Sequence, residues 1–275
     1  MNFMNKTNPI GIFDSGVGGL TVVKSIESFL PNENVIYFGD TARVPYGSKS
    51  NSTVIEYGLQ DAKFLANKNV KLIVVACNTV SSIALDTLRE HFKIPIIGMI
   101  EPGAKSAIER TTSGKVGVIG TETTVSNKAY SKALLNLDSQ VNVFEKACPL
   151  FVPLAEEGWI DHQATKLIVK EYLSELKDEK IDTLILGCTH YPILRNIIQE
   201  EIGEEVTLID SGAVASVEVE HYLNGTGLKN DSNNIGQHKY YVSDTPTKFE
   251  QVANLFLGKE VEHIEKIDLE ELLKN

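Results

Sequence analysis

The sequence predicts an α/β protein of two pseudo-symmetric lobes, each a mostly parallel sheet flanked by helices, with the active site in the cleft between them. Three observations predict it: short β-branched runs alternate with longer amphipathic stretches, the central runs are apolar at every position, and two of the runs recur in similar form. Taken in order, the runs at 10–13, 35–39, 72–76, 95–100, 116–120, 141–147, 184–187 and 206–210 read as strands. Helical periodicity fills the gaps at 20–29, 52–66, 81–91, 126–135, 165–176 and 194–202. Leu72-Ile-Val-Val-Ala76 and Thr183-Leu-Ile-Leu-Gly187 show no polar alternation, as expected of parallel strands buried on both faces. The polar, Gly- and Asn-rich segment 224–237 reads as a surface loop.

Composition narrows the class. The 275 residues exceed the size at which one hydrophobic core usually keeps growing, which favours two lobes. With 42% hydrophobic and 23% charged residues, the chain can offset its conformational entropy without metals or disulfides. Cys77, Cys148 and Cys188 are too few and too widely spaced for a disulfide framework or a structural zinc site. The start at 1–9 is short and polar, and no apolar run approaches the roughly 18 residues that span a bilayer, so a cytoplasmic protein with no membrane partner is expected. A formal charge of −11 repels phosphate backbones and argues against direct nucleic-acid binding.

The recurrence organises the rest. Pro9-Ile-Gly-Ile-Phe-Asp-Ser15 resembles Lys115-Val-Gly-Val-Ile-Gly-Thr121, and Leu72-Ile-Val-Val-Ala-Cys-Asn-Thr79 resembles Leu184-Ile-Leu-Gly-Cys-Thr-His190. Buried strands share a vocabulary, so chance similarity is one explanation; a pair of similar half-domains is the other. In open α/β sheets ligands sit beyond the carboxyl ends of the strands, so two facing halves aim Cys77 and Cys188 into one cleft from opposite sides.

Each motif carries a structural reading beside a chemical one. Asp14-Ser-Gly-Val-Gly-Gly-Leu20 follows a strand and precedes a helix; its glycines serve either a tight turn or an anion resting on backbone N–H groups. It matches neither the dinucleotide fingerprint nor a P-loop. A buried cysteine is usually a small hydrophobe, and Cys148 keeps that reading. Cys77 and Cys188 are followed at once by Asn78, Thr79, Thr189 and His190, polar side chains that apolar packing gives no reason for. The same atoms suit two rivals, zinc held by Cys77, Cys188 and His190, or a hydrolase with Cys188 as nucleophile and His190 as base. Glu156 and Glu157 fit a solvated turn, although Glu156 can instead orient a histidine, and the loops around Asp40 and Tyr46-Gly47 lie on the strand edge that carries Asp14 and Cys77.

Together, DSGVGG, YFGDTARVPYG, ACNT, VPLAEEG, GCTHYP and IDSG, in this order over residues 9–258, resemble the glutamate racemases of the aspartate/glutamate racemase family. That resemblance implies glutamate as substrate, D-glutamate for peptidoglycan as product, and neither metal nor organic cofactor. It also implies a homodimer of two-lobed chains, with 1–98 plus 211–275 forming one lobe and 99–210 the other. Carried onto this sequence, the family's roles make Cys77 and Cys188 the two proton-transferring groups, acting on D- and L-glutamate respectively. Asp14 stands beside the first, and His190, with Glu156 as its partner, beside the second. Ser15, Tyr46, Gly47, Asn78, Thr79 and Thr189, with Asp14 and His190, match substrate-holding positions.

The chemistry is coherent with two cysteines. Racemisation removes a proton from one face of Cα and returns one to the other, which a single fixed base does not achieve. An ordinary cysteine, with a pKa of about 8.5, is mostly thiol at neutral pH, so one thiolate and one thiol must coexist and exchange roles. An anionic Asp14 disfavours a thiolate at Cys77, whereas a protonated His190 favours one at Cys188. The residues leave substrate length open, so a two-cysteine racemase acting on aspartate or a hydantoin is the alternative. Some family members inhibit DNA gyrase, and a strongly acidic chain suits a basic protein surface, so a binding role beside catalysis also stays open.

Overall fold

The computed structural model describes residues 5–261 and 264–268. In chain order it runs β1 (Ile10–Asp14), α1 (Leu20–Phe29), β2 (Val35–Gly39), α2 (Asn51–Asn67), β3 (Leu72–Val75), α3 (Asn78–Ile83), α4 (Leu85–His91) and β4 (Ile96–Ile97). There follow α5 (Ile100–Arg110), β5 (Lys115–Gly120), α6 (Glu122–Ser126), α7 (Ala129–Leu137), β6 (Asn142–Ala147), α8 (Phe151–Glu156), α9 (Gln163–Asp178), β7 (Thr183–Gly187), α10 (Arg195–Ile202) and β8 (Thr207–Asp210). The chain ends with α11 (Ser211–Thr226), β9 (His238–Val242), α12 (Pro246–Leu257) and β10 (Ile264–Lys266).

Two sheets result, one in the order β10-β9-β2-β1-β3-β4 and one in the order β6-β5-β7-β8. Every pairing is parallel. The apolar runs occupy the centres: β1, β3 and β7 are buried at every residue. The core order β2-β1-β3-β4 repeats in β6-β5-β7-β8, so the internal similarity read from the sequence is a repeat of architecture.

All eight predicted strands form, with one shortened. Of the run at 95–100 only Ile96 and Ile97 pair, and Ile100 opens α5. The predicted helix at 81–91 divides at Ala84 into α3 and α4, and that at 126–135 divides at Lys128, which is left-handed at φ 55°. The predicted loop at 224–237 begins later than expected, since α11 runs to Thr226 before Gly227 ends it at φ 69°. Six elements lack a sequence forecast: α5, α8, α11, β9, α12 and β10. Helix α11 packs on α1 beside the first sheet and on α5 beside the second, and it joins the two layers. At the opposite ends of the strands from the cysteines, the buried Lys71–Glu33 pair also takes the Lys6 and Leu228 carbonyls and the Asn230 N–H. That pair pins the irregular segment after α11.

Candidate active site between the two sheets

A cavity of about 410 Å³ opens where the carboxyl ends of the two sets of strands meet, and both Cys77 and Cys188 line it. Each thiol stands immediately beyond its strand's end, Cys77 after β3 and Cys188 after β7, where parallel sheets present ligand-binding groups. Ser15, Asn78, Thr79, Thr189, His190, Glu156, Tyr46 and Gly47 share that lining. Glu157, beyond the end of α8, is not among the lining residues.

The first half is built around Cys77, the residue before α3, whose Sγ lies 3.6 Å from Ser15 Oγ. Burial, and then the charge of Asp14, push the Cys77 thiol up to about 12, against hydrogen bonds from the Val80 N–H and Ser15. Asp14 itself sits behind the wall. Its Oδ2 accepts from the Gly16 N–H at 3.0 Å and its Oδ1 from Thr189 Oγ1 at 3.4 Å. It is 1% exposed and is not among the lining residues. Burial raises its carboxyl above the ordinary range, although the charge of His190 and its donors pull the other way.

The second half is built around Cys188, whose Sγ lies 3.9 Å from His190 Nδ1, while His190 Nε2 meets Glu156 Oε1 at 2.9 Å. Residues two apart on a strand point the same way but stand roughly 6–7 Å apart; His190 instead has helical backbone angles, and the turn folds its ring back onto the sulfur. Burial alone disfavours an imidazolium; Cys188 and Glu156 outweigh it and raise His190 to about 10. Phe256 of α12 stands edge-on to the ring at 5.5 Å and closes that side.

The glycine-rich turn proves to be a packing joint. A Cβ on Gly18 would lie 2.3 Å from Thr189 Oγ1 and 2.4 Å from His190 Nδ1, and one on Gly19 would lie 2.5 Å from the Asp14 Cβ. The glycines therefore let the first half press against the second, and Thr21 Oγ1 ties the contact by bonding both the Gly18 and Thr189 carbonyls. Tyr46 lines the cavity while its hydroxyl bonds Asp40 and approaches Asp61.

Several site residues had no place in the sequence reading. Thr121 and Thr124 close a hydroxyl cluster with Thr79, at 3.0 and 3.4 Å, and bridge the halves. Asn78 is oriented from the far side, accepting from Tyr130 Oη at 2.7 Å and approaching Ser211 Oγ at 3.4 Å. A signal for Thr121 existed, because the repeat aligns it with Ser15. Among the described residues no group of three or more His, Cys, Asp or Glu side chains is placed to hold a metal ion. Nor is any described helix long and apolar enough to cross a membrane.

Known proteins match this arrangement. A family model described as Asp/Glu/Hydantoin racemase covers residues 15–219. A glutamate racemase of Geobacter metallireducens is 52% identical over 261 residues, covering 95% of this chain and 97% of that protein. The crystal structure of a Bacillus anthracis glutamate racemase superposes with a TM-score of 0.93 at 40% identity, covering 96% of this chain and 99% of that one. A Francisella tularensis glutamate racemase in complex with D-glutamate gives a TM-score of 0.91 at 42% identity, with 97% and 99% covered. A repeated parallel fold that brings two thiols to one cleft thus coincides with similarity along nearly the whole chain, and the chain belongs to the Asp/Glu/Hydantoin racemase family, among its glutamate racemases.

Proposed function

We propose that the chain interconverts L- and D-glutamate by two-base proton transfer between Cys77 and Cys188, with no organic cofactor. The observation that carries this is that both thiols line one cavity while their polar neighbours are opposite in kind, a carboxyl group behind Cys77 and an imidazole beside Cys188. A cationic His190 stabilises negative charge on the Cys188 sulfur, and the Cys77 thiol, pushed up to about 12, remains an acid. From L-glutamate, the Cys188 thiolate takes the α-proton, the carbanion forms, and the Cys77 thiol returns a proton to the opposite face. The thiols then hold exchanged protons, and D-glutamate runs the sequence in reverse. Asp14, buried behind Cys77, keeps that thiol protonated through its charge or relays its proton.

The cavity's charge supports the assignment of one acid and one base. Its charged side chains are Glu122, Glu156 and His190, with no Lys or Arg among the lining residues. Carboxylates are then gripped by neutral donors, Ser15, Asn78, Thr79 and Thr189 among them, together with His190. Guanidinium groups there would favour ionisation of both thiols and leave no acid. Fixed neutral dipoles instead stabilise charge as it develops on the substrate carboxylate.

Glutamate as the substrate is supported by the named relatives, one of which holds D-glutamate. The wider proposal is a cytoplasmic homodimer that supplies D-glutamate for peptidoglycan, its lobes being 1–98 plus 211–275 and 99–210. Purified protein with no added cofactor should racemise glutamate, and in heavy water it should exchange the α-proton of glutamate much faster than that of aspartate. Faster exchange on aspartate would overturn the substrate assignment.

A further inference from the structure

Five consecutive residues, 44–48, form one wall of the cavity, yet this wall carries no ionic side chain into it. What it offers a ligand is backbone and uncharged side chains, whose placement depends on what lies behind. Behind it is a buried cluster. Arg43 Nε meets Asp40 Oδ2 at 2.5 Å, its Nη2 meets Asp61 Oδ1 at 3.0 Å, and its Nη1 donates to Gln60 Oε1. Its guanidinium also lies over the Tyr57 ring at 4.1 Å. Tyr46 Oη bonds Asp40 and stands 3.2 Å from Asp61 Oδ2, while Ser243 Oγ donates to Asp40 Oδ1 at 2.8 Å. Asp40 and Asp61 are both fully buried.

We propose that Arg43, clamped between Asp40, Asp61 and Gln60, is a positioning residue that sets the height of the 44–48 wall against the bound amino acid. The inference rests on the racemase reading. Residue 43 immediately precedes the wall, and its guanidinium fixes the loop after β2 to α2 through separate nitrogens, a fork that a lysine ammonium does not reproduce. Tyr46 adds a second anchor from inside the wall itself. One hydroxyl hydrogen serves one carboxylate at a time, so a proton kept on Asp61 completes the set, in keeping with burial and the Asp40 charge holding that carboxyl well above the usual range.

The reacting thiols stand on other elements, after β3 and β7, so on this proposal the wall's contacts are equal in the ground and transition states and act on KM. In Arg43→Gln and Arg43→Lys, KM for both enantiomers should rise about tenfold or more with kcat within about threefold, the pattern of lost uniform binding. A staple that only holds the fold would lower the melting temperature and leave KM of the folded enzyme alone. Should the Arg43 variants fail to fold, Gln60→Ala removes one prong from the more exposed side, and a KM raised about threefold at unchanged kcat is expected. A KM within twofold of wild type in the folded variants, or a loss confined to kcat, overturns the proposal. The wild-type protein in the same assay tests the racemase reading separately, since its turnover of glutamate does not depend on Arg43's role.

Discussion

In the first half of the molecule the strands stand in the order β2-β1-β3-β4, in the second in the order β6-β5-β7-β8, and each half places a cysteine beyond its third strand. The residues around those cysteines break the likeness. β1 ends in Asp14 where β5 ends in Gly120, and Cys77 is followed by Asn78-Thr79 where Cys188 is followed by Thr189-His190. One scaffold thus carries an acid behind its thiol and the other an imidazole beside it. The comparison teaches how a repeat yields two unequal acid–base groups. The backbone repeat supplies opposed positions, and a few local substitutions supply opposite electrostatics.

Removing either sulfur breaks the comparison most severely. Cys77→Ala and Cys188→Ala should each lower racemisation by at least roughly 10²–10⁴-fold, the range for a lost general acid or base. Each variant should keep a partial reaction, with α-hydrogen exchange in heavy water confined to L-glutamate in Cys77→Ala and to D-glutamate in Cys188→Ala, as read by NMR. Exchange of both enantiomers by one variant would end the two-base account.

Adjacent glycines allow a finer cut. Gly18→Ala drives a methyl group into Thr189 and His190, whereas Gly19→Ala drives one into Asp14 and Tyr37. Neither glycine is left-handed, so the effect is steric, and losses of about 10²-fold are expected from displaced catalytic geometry. Both directions cross the same barriers and the equilibrium constant of a racemisation is one, so kcat/KM stays equal both ways. The asymmetry shows instead in primary isotope effects. Gly18→Ala should raise the effect for α-deuterated L-glutamate, and Gly19→Ala that for the D-enantiomer. Identical isotope effects in both variants would mean that the halves are not separable.

Much of this was legible in the sequence because buried parallel strands advertise themselves. The runs 72–76 and 184–187 are apolar throughout, and the polar residues that follow each cysteine have no packing rationale. What stayed hidden has physical reasons. Helix α11 lies between two layers, so Ser-Gly-Ala-Val-Ala-Ser carries no single apolar stripe, and α5 holds Pro102 and Gly103 in its first turns, which reads as a breaker. β9 is an add-on beyond β2, and its sequence His-Lys-Tyr-Tyr-Val begins polar. In the site, Cys77 and Cys188 were within reach of motif and spacing, and the pairing of His190 with Glu156 followed from the family resemblance. Tyr130, Ser211 and Phe256 act through tertiary contacts from distant elements, which no local pattern marks.

His190 offers a smaller, thermodynamic test of the unequal halves. Its pKa rises from 6.5 to about 10 on folding, so the native state holds the proton more tightly than the unfolded chain. The resulting stability is fully present below about pH 6.5 and is lost as pH rises through about 10. Urea midpoints measured across that window should fall further for the wild type than for His190→Asn, which has no such proton to lose. Parallel curves would remove the imidazolium from the second half.

Cys148 provides the smallest expected effect and the sharpest control on what makes a cysteine chemical. It is buried like the other two, at 0% exposure against 5% for Cys77 and 6% for Cys188, but it packs in the core with Phe151 and Tyr191 and does not line the cavity. Its sulfur reaches the Lys146 carbonyl at 3.7 Å, and burial pushes its thiol pKa up. Cys148→Ala should leave kcat within about twofold and cost about 1 kcal/mol of stability, in line with removing a small buried group. Activity lost as completely as in Cys77→Ala would mean that burial beside the second sheet, and not access to the cleft, decides which sulfurs take part.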